Sequence, residues 1–321
     1  MNKKVAIECC PSYDPNTVYA ALKQAVEASG DLDVAGKTVL LKPNIVSDMP
    51  PEKAACTHPK FLVAAIRLVR EMGAHRILVG DSPGFQKSSF TAKLSGLGEA
   101  ARLGNAEWVD FTQAKTEIAC PDGKVVKTFT VTKVVDEVDC IISLPKLKTH
   151  ELMYFTGAMK NLFGVIPSVA KSRYHVRFQA RMAFASMIVD LNLALKPAYA
   201  LMDAITGMEG LGPTAGTPRH IGLVLSSSNV LAIDLAASDI IAYPADKIPV
   251  NSDGLARGVW LSYRDNIEYP LLSPADVRIP DYRKIPFKHG KSQLWDLILS
   301  PSAHAIDKAK RKIRSAVASR V

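Results

Sequence analysis

The stretch SLPKLKTHELMYFTGAMKNLFGVIP, residues 143–167, decides how this chain is read. It opens on the end of an apolar run, CIISL (residues 140–144). Such a run, rich in β-branched residues, is the pattern of a strand buried on both faces. The run stops at Lys146, Lys148 and His150; a small-residue turn at Thr156 and Gly157 follows, then a short helix carrying Lys160 and Asn161. Lysine is among the residues least often fully buried. Three lysines and an imidazole at the mouth of an apolar strand therefore point to a negatively charged ligand.

Outward from this stretch, short apolar runs alternate with segments of helical period, which is the signature of βαβ units. Strands are expected at residues 5–9, 38–44, 76–81, 139–144, 199–204 and 221–226. Helices are expected at 15–29 and 59–72, closed by Gly30 and Gly73. Others are expected at 88–103, interrupted by Gly96 and Gly98, and at 174–195, 230–242 and 253–263. Residues 107–132 hold short strands around a Pro121-Asp122-Gly123 turn, read as a hairpin at the sheet edge. The fold class expected is α/β: a mostly parallel open sheet with helices on both faces, an antiparallel hairpin near the middle of the chain, and a basic C-terminal helical tail. Residues 1–282 form the α/β domain in this reading, and residues 283–321 the tail.

The chain has 321 residues, of which 48% are hydrophobic and 22% charged, the balance of an ordinary globular protein. No apolar run reaches the roughly 18 residues of a membrane span. The N-terminus enters a strand pattern with no apolar signal segment, so a cytoplasmic location is expected. Five cysteines, without any Cys-x-x-Cys spacing, argue against a disulfide framework and against a locally encoded iron–sulfur cluster. Ten Lys/Arg against two Asp/Glu fall in residues 283–321, so nearly the whole net charge of +9 belongs to the tail. That distribution disfavours a nucleic-acid partner. In residues 301–321, Ile306, Ala309, Ile313 and Val317 share one helix face beside a basic one. Such a helix either docks on the domain or lies on an anionic membrane surface, giving a peripheral location.

Position along the strands carries the functional signal. One strand ends in Lys42-Pro43-Asn44, a second in Gly80-Asp81, a third in Lys146 and Lys148, and a fourth in Asp203. In open α/β sheets ligands bind in the crevice outside the carboxyl ends of the strands. The Gly-rich loop 207–218 adds Glu209 and Gly210 but matches neither the P-loop nor the dinucleotide fingerprint. Asp81 and Asp203 either share a hard cation such as Mg²⁺ or cap the turns that follow them. His58, between Thr57 and Pro59, is either an N-cap ahead of a helix or, with His150, a proton-transfer group at the same rim. Cys9, Cys10 and Cys56 also reach this rim, as a thiol pair, as cluster ligands or as inert small hydrophobes. Arg173, Arg177 and Arg181 recur every four residues and form one helical stripe. His75, His175, His220, His289 and His304 show no ligand spacing.

The ordered motifs LKPN, THP, GDSPG, LPKLKTH…GAMKNLFG, MEG-x-GPTAGTP and AIDLAAS resemble the domain of unknown function 362 family over residues 3–245. The resemblance supports Lys42, Asn44, His58, Asp81, Lys146, Lys148, His150, Lys160, Asn161, Asp203, Glu209 and Asp234 as the family pattern. Many relatives carry a ferredoxin-like C-terminal segment with repeated Cys-x-x-Cys spacing. Here no cysteine follows Cys140 and the basic tail stands in that place. A redox role implied by the resemblance would therefore draw on an external ferredoxin-like electron partner.

Three functional readings follow. The leading one is an enzyme acting on a small anionic metabolite, a carboxylate or phosphate. Lys42, Asn44, Lys146, Lys148, Lys160, Asn161, Glu209 and Gly210 would bind it, while His150, His58, Asp81 and Asp203 do the chemistry. The second is Mg²⁺-dependent group transfer without redox change. The third is a non-catalytic binding protein that docks through its basic tail on a membrane or a nucleic acid.

Overall fold

The structure, a computed structural model, describes residues 2–83, 88–261 and 263–287. Its centre is a parallel block of five strands in the order β10 (Tyr199–Glu209), β7 (Cys140–Leu144), β2 (Thr38–Pro43), β3 (Arg76–Asp81) and β4 (Glu107–Asp110). Beyond β10 the sheet turns antiparallel, with β11 (Thr217–Ser227) and then β1 (Ala6–Cys9) at the edge. The expected mixed α/β architecture is therefore present.

Alternation along the strands divides the apolar side chains between two cores. Val39, Leu41, Ile77, Val79 and Leu201 face α1 (Pro15–Ser29), α2 (Pro59–Glu71) and α4 (Leu97–Leu103). Leu40, Leu78, Ile141, Ala200 and Met202 belong to the core of the opposite face. That core also contains residues of α5 (Ala158–Asn161), α7 (Arg181–Leu195), α8 (Val230–Ile240) and α9 (Pro249–Arg257). Strands buried on both faces need apolar residues at every position, and CIISL is such a run.

Several boundaries differ from expectation, each for a local reason. Helix 88–103 is two helices, α3 (Ser88–Leu94) and α4, because Gly96 takes a left-handed φ of 74°. Helix 174–195 is also two, α6 (Ser168–Arg177) and α7; Phe178 leaves helical geometry, with φ −112° and ψ 65°, and is buried. The break takes Arg181 out of the Arg stripe, and its guanidinium instead donates to the Leu152 carbonyl over the Tyr154 ring. The expected helix 253–263 lies earlier, as α9, and ends where Gly258 adopts a φ of 63°. The edge of the sheet is β4. The hairpin of β5 (Lys115–Ala119) and β6 (Thr128–Thr132) is a separate two-stranded sheet, whose turn donates the Lys124, Val125 and Val126 amides to buried Asp190.

The loop expected at 207–218 is shorter, residues 210–216, because β10 and β11 run into it from either side. β10 continues to Glu209 because it gains a new partner where β7 ends. Pro145, with no N–H to give, interrupts the ladder after β7, yet its carbonyl accepts the Asp203 amide at 2.9 Å. The chain then resumes as β8 (Lys146–His150), parallel to β10, with β9 (Tyr154–Thr156) antiparallel beside it. Together these strands reach past the ends of β2 and β3.

The chain stays on the body of the domain beyond residue 282: Tyr282 and Ile285 are buried, and the Arg283 carbonyl accepts the Gly210 amide. The basic helix expected at 301–321 and Gly84 of the GDSPG motif lie outside the described residues.

Candidate functional site

β8 explains how one short motif delivers several polar groups. Residues i, i+2 and i+4 of a strand share a face, so Lys146, Lys148 and His150 point the same way. Directly opposed residues of a ladder also share a face. Asp203 of β10 stands opposite Lys146, and Thr156 of β9 stands opposite Lys148.

Two lysines are fully paired. Lys42, at the end of β2, meets Asp81, at the end of β3, at 2.9 Å, and both side chains are 1% exposed. The Asp81 carboxylate also accepts the amides of Ile45 and Ser82. Asn161 closes this group from α5: its Oδ1 accepts from Lys42 Nζ at 3.1 Å and Asn44 Nδ2 at 3.0 Å, and its Nδ2 donates to the Lys42 carbonyl. Gly164 must be glycine here, because a Cβ would fall 2.0 Å from Asp81 Oδ1.

The second pair is Lys146 with Asp203, at 2.8 Å and again buried. Tyr13 completes it, donating its hydroxyl proton to Asp203 Oδ1 and accepting from Lys146 Nζ at 2.7 Å and from the Thr206 amide. Burial and then the Asp203 charge hold the Tyr13 phenol well above its usual range. The other Asp203 oxygen accepts the His58 amide at 2.9 Å. In both pairs burial favours the neutral amine, and the partner carboxylate opposes it.

Among the described residues three further lysines form no ion pair. Lys148 is 1% exposed, and its Nζ donates to a backbone carbonyl, that of Ala55. Lys171 of α6, partly exposed, donates to the Ser82 carbonyl. Lys160, also partly exposed, has no hydrogen-bond or carboxylate partner among the described residues. Burial first, and then the charges of Lys148, Lys171 and Lys42, bring Lys160 down to about 7. Burial likewise brings Lys148 and Lys171 to about 8.

Two imidazoles complete this cationic mouth. His150 Nδ1 accepts the amides of Leu152 and Met153, so the ring carries its proton on Nε2 and is a donor there. His175, one turn beyond Lys171 on α6, stacks on Phe184. Burial and then Lys160 keep both rings neutral, His150 well below its usual range and His175 at about 4. The helix that presents Lys160 is fixed at its start by Asp234, whose carboxylate accepts the Ala158 and Met159 amides.

Of the expected site residues, Lys42, Asn44, Asp81, Lys148, His150, Lys160 and Asn161 come together, with Lys146 and Asp203 adjoining. Glu209 and Gly210 turn elsewhere: Glu209 takes the Arg283 guanidinium at 2.7 Å, and Gly210 pairs with the Arg283 backbone. His58 is the N-cap of α2, its Nδ1 accepting the Lys60 amide, with its ring stacked 3.6 Å from Tyr13. Asp81 and Asp203 stand in separate ion pairs, with cations beside them, and this arrangement does not fit a shared Mg²⁺. Cys9 is exposed, Cys10 turns to the Ser12 carbonyl and Cys56 to that of Ser47. Among the described residues no three His, Cys, Asp or Glu side chains gather as a metal site. Sequence reasoning passed over Tyr13, Thr156, Lys171 and His175. The four-residue spacing of Lys171 and His175 was the one available signal.

A family model described as "Domain of unknown function (DUF362)" matches residues 39–239. The chain belongs to this family. All five lysines of the site and both ion pairs fall within that DUF362 match. Thylakoid-associated protein sll1697 of Synechocystis sp. is 29% identical over 308 residues, covering 90% of this chain and 95% of that one. Among solved structures, a Thermotoga maritima protein has 12% identity and a TM-score of 0.42, covering 72% of this chain and 59% of its own. The lactate racemase apoprotein from Thermoanaerobacterium thermosaccharolyticum has 14% identity and a TM-score of 0.43, with 70% and 54% covered. This chain thus spans between half and two thirds of each solved chain. Among the described residues no helix is long and apolar enough to cross a membrane.

Proposed function

We propose that this DUF362 protein is an enzyme acting on a small anionic metabolite, a carboxylate or a phosphate, held at the mouth formed by Lys148, Lys160 and Lys171. The observation that carries the reading is Lys160, an amine crowded by like charges with no carboxylate to compensate it among the described residues. A cation drawn partly out of water among like charges is costly without a counter-charge, and a bound anion would supply one. In a site partly closed to water, such contacts are stronger than in solution.

The same crowding gives Lys160 a chemical use. With its amine near 7, both protonation states are populated at neutral pH, which suits a group that accepts or releases a proton. His150 Nε2–H would donate to an anionic oxygen, and Lys42 with Asn161 would fix the floor beneath. The test is incubation of the full chain with a pool of small carboxylates and phosphates, followed by mass spectrometry. Depletion of one compound by the wild type but not by Lys160→Met is expected. Equal depletion by both, or none, would overturn the reading.

A further inference from the structure

Thr156 supplies an observation the proposed function did not use. Its side chain is 2% exposed and its hydroxyl has no hydrogen-bond partner among the described residues. Buried polar groups in folded proteins are nearly always satisfied, so an orphaned hydroxyl marks a place where a partner belongs. β9 pairs Thr156 directly with Lys148, so both side chains leave the same face of that ladder. The orphan hydroxyl thus lies beside a lysine that itself lacks a carboxylate.

Charge counting then restricts the ligand. Among the described residues Lys148, Lys160 and Lys171 form no ion pair; the one carboxylate that Lys148 and Lys171 feel is Asp81, and a single bound carboxylate would serve one of the three. Asp81 is already paired with Lys42, and Asp234 is tied to the first amides of α5. We infer that the anionic group bound here is a phosphate monoester dianion, held by the three lysines, with the Thr156 hydroxyl donating to one of its oxygens. This rests on the proposed anion site and narrows its substrate class to phosphorylated compounds. A phosphoryl group concentrates two charges on three oxygens, enough acceptors for several amines and a hydroxyl at one point. A dicarboxylate separates its charges and offers each cation less.

Binding of a dianion here is coupled to protons. The groups facing Lys160 are Lys42, Lys148 and Lys171, with His150 and His175 at the mouth, Asp81 behind Lys42, and Asp234 at the foot of its own helix. Without a ligand this surrounding leaves the amines partly deprotonated near neutral pH. A dianion favours the charged amines, so binding takes up protons from the buffer.

Calorimetric titration of the full chain at pH 7.5 tests this, using inorganic phosphate and methyl phosphate against acetate and succinate, in two buffers of different ionisation enthalpy. Both phosphates should bind at least about tenfold more tightly than acetate, with a buffer-dependent heat that reports proton uptake. Thr156→Val, which keeps the shape of the side chain, should weaken phosphate by about tenfold, and Thr156→Ser should retain it. Acetate or succinate binding as tightly as phosphate would overturn the dianion assignment while leaving an anion site in place. Unchanged phosphate affinity in Thr156→Val, with its fold confirmed by circular dichroism, would remove Thr156 from the site. Failure of all four anions to bind would overturn both this inference and the proposed function.

Discussion

The lysines at the floor of the site and those at its mouth are the same residue type in the same neighbourhood, held in opposite ways. Lys42 and Lys146 are sealed against Asp81 and Asp203, and their remaining donors meet Asn161, Tyr13 and a backbone carbonyl. Among the described residues Lys148 and Lys171 donate to backbone carbonyls and Lys160 has no hydrogen-bond partner. The floor pairs are complete within the chain and behave as structure. The mouth is incomplete, and incompleteness at a strand-end crevice is a property of binding sites more than of cores.

Removing one carboxylate from the floor should have the largest effect. Asp81→Ala leaves Lys42 buried without its counter-ion and deprives the Ile45 amide of its acceptor. A loss of about 3–5 kcal/mol is expected, because an isolated buried charge keeps its desolvation cost without its compensation. Denaturant unfolding of wild type and variant measures this. A loss below about 1 kcal/mol would mean that the floor is not the structural unit described.

Removing a mouth lysine should act in the opposite direction. The amine of Lys160 sits at about 7 in the folded protein against an ordinary 10.5. The folded state therefore holds this proton less well than the unfolded chain does. Below about 7 both states are protonated and the folded state bears the full penalty. As pH rises toward 10.5 the penalty fades, since the unfolded chain loses its advantage. Lys160→Met should thus stabilise the protein by roughly 1–3 kcal/mol at pH 7, with the gain vanishing near pH 10.5. Destabilisation at pH 7 would indicate that Lys160 has a partner and belongs with the floor.

The contrast between floor and mouth was only half legible in the sequence. Strand ends were readable, because apolar runs buried on both faces stop abruptly where the sheet does, and this placed Lys42, Asp81, Lys146 and Asp203 at one rim. Which lysine takes which carboxylate was not readable, since it depends on register: Asp203 meets Lys146 only because β10 runs on beside β8 after Pro145 breaks the ladder. That same extension shortened the expected Gly-rich loop to residues 210–216 and put Glu209 at the end of β10, where Arg283 claims it from far along the chain. Thr156 carries no local signal; its importance lies in the antiparallel partner it faces. Lys171 and His175 share a helix face, but the Arg173 and Arg177 stripe of the same segment masked them.

The smallest expected effect separates the two histidines that the sequence treated alike. His58 Nδ1 accepts the Lys60 amide at 3.2 Å, as an N-cap does, and its ring lies on Tyr13 beside the closed Lys146–Asp203 pair. His150 lies by the unpaired lysines and feels the charges of Lys160 and Lys148. If His58 is a cap, His58→Ala should cost about 1 kcal/mol of stability, and His58→Asn, whose side chain also caps, should recover most of it. Anion binding should survive both substitutions, as read by the ligand-induced rise in melting temperature. In His150→Ala the same rise should shrink, because a donor at the mouth is lost. Loss of the anion response in His58→Asn would join His58 to the mouth and erase the boundary between the two sets of lysines, since His58 contacts the floor pair directly through its own amide.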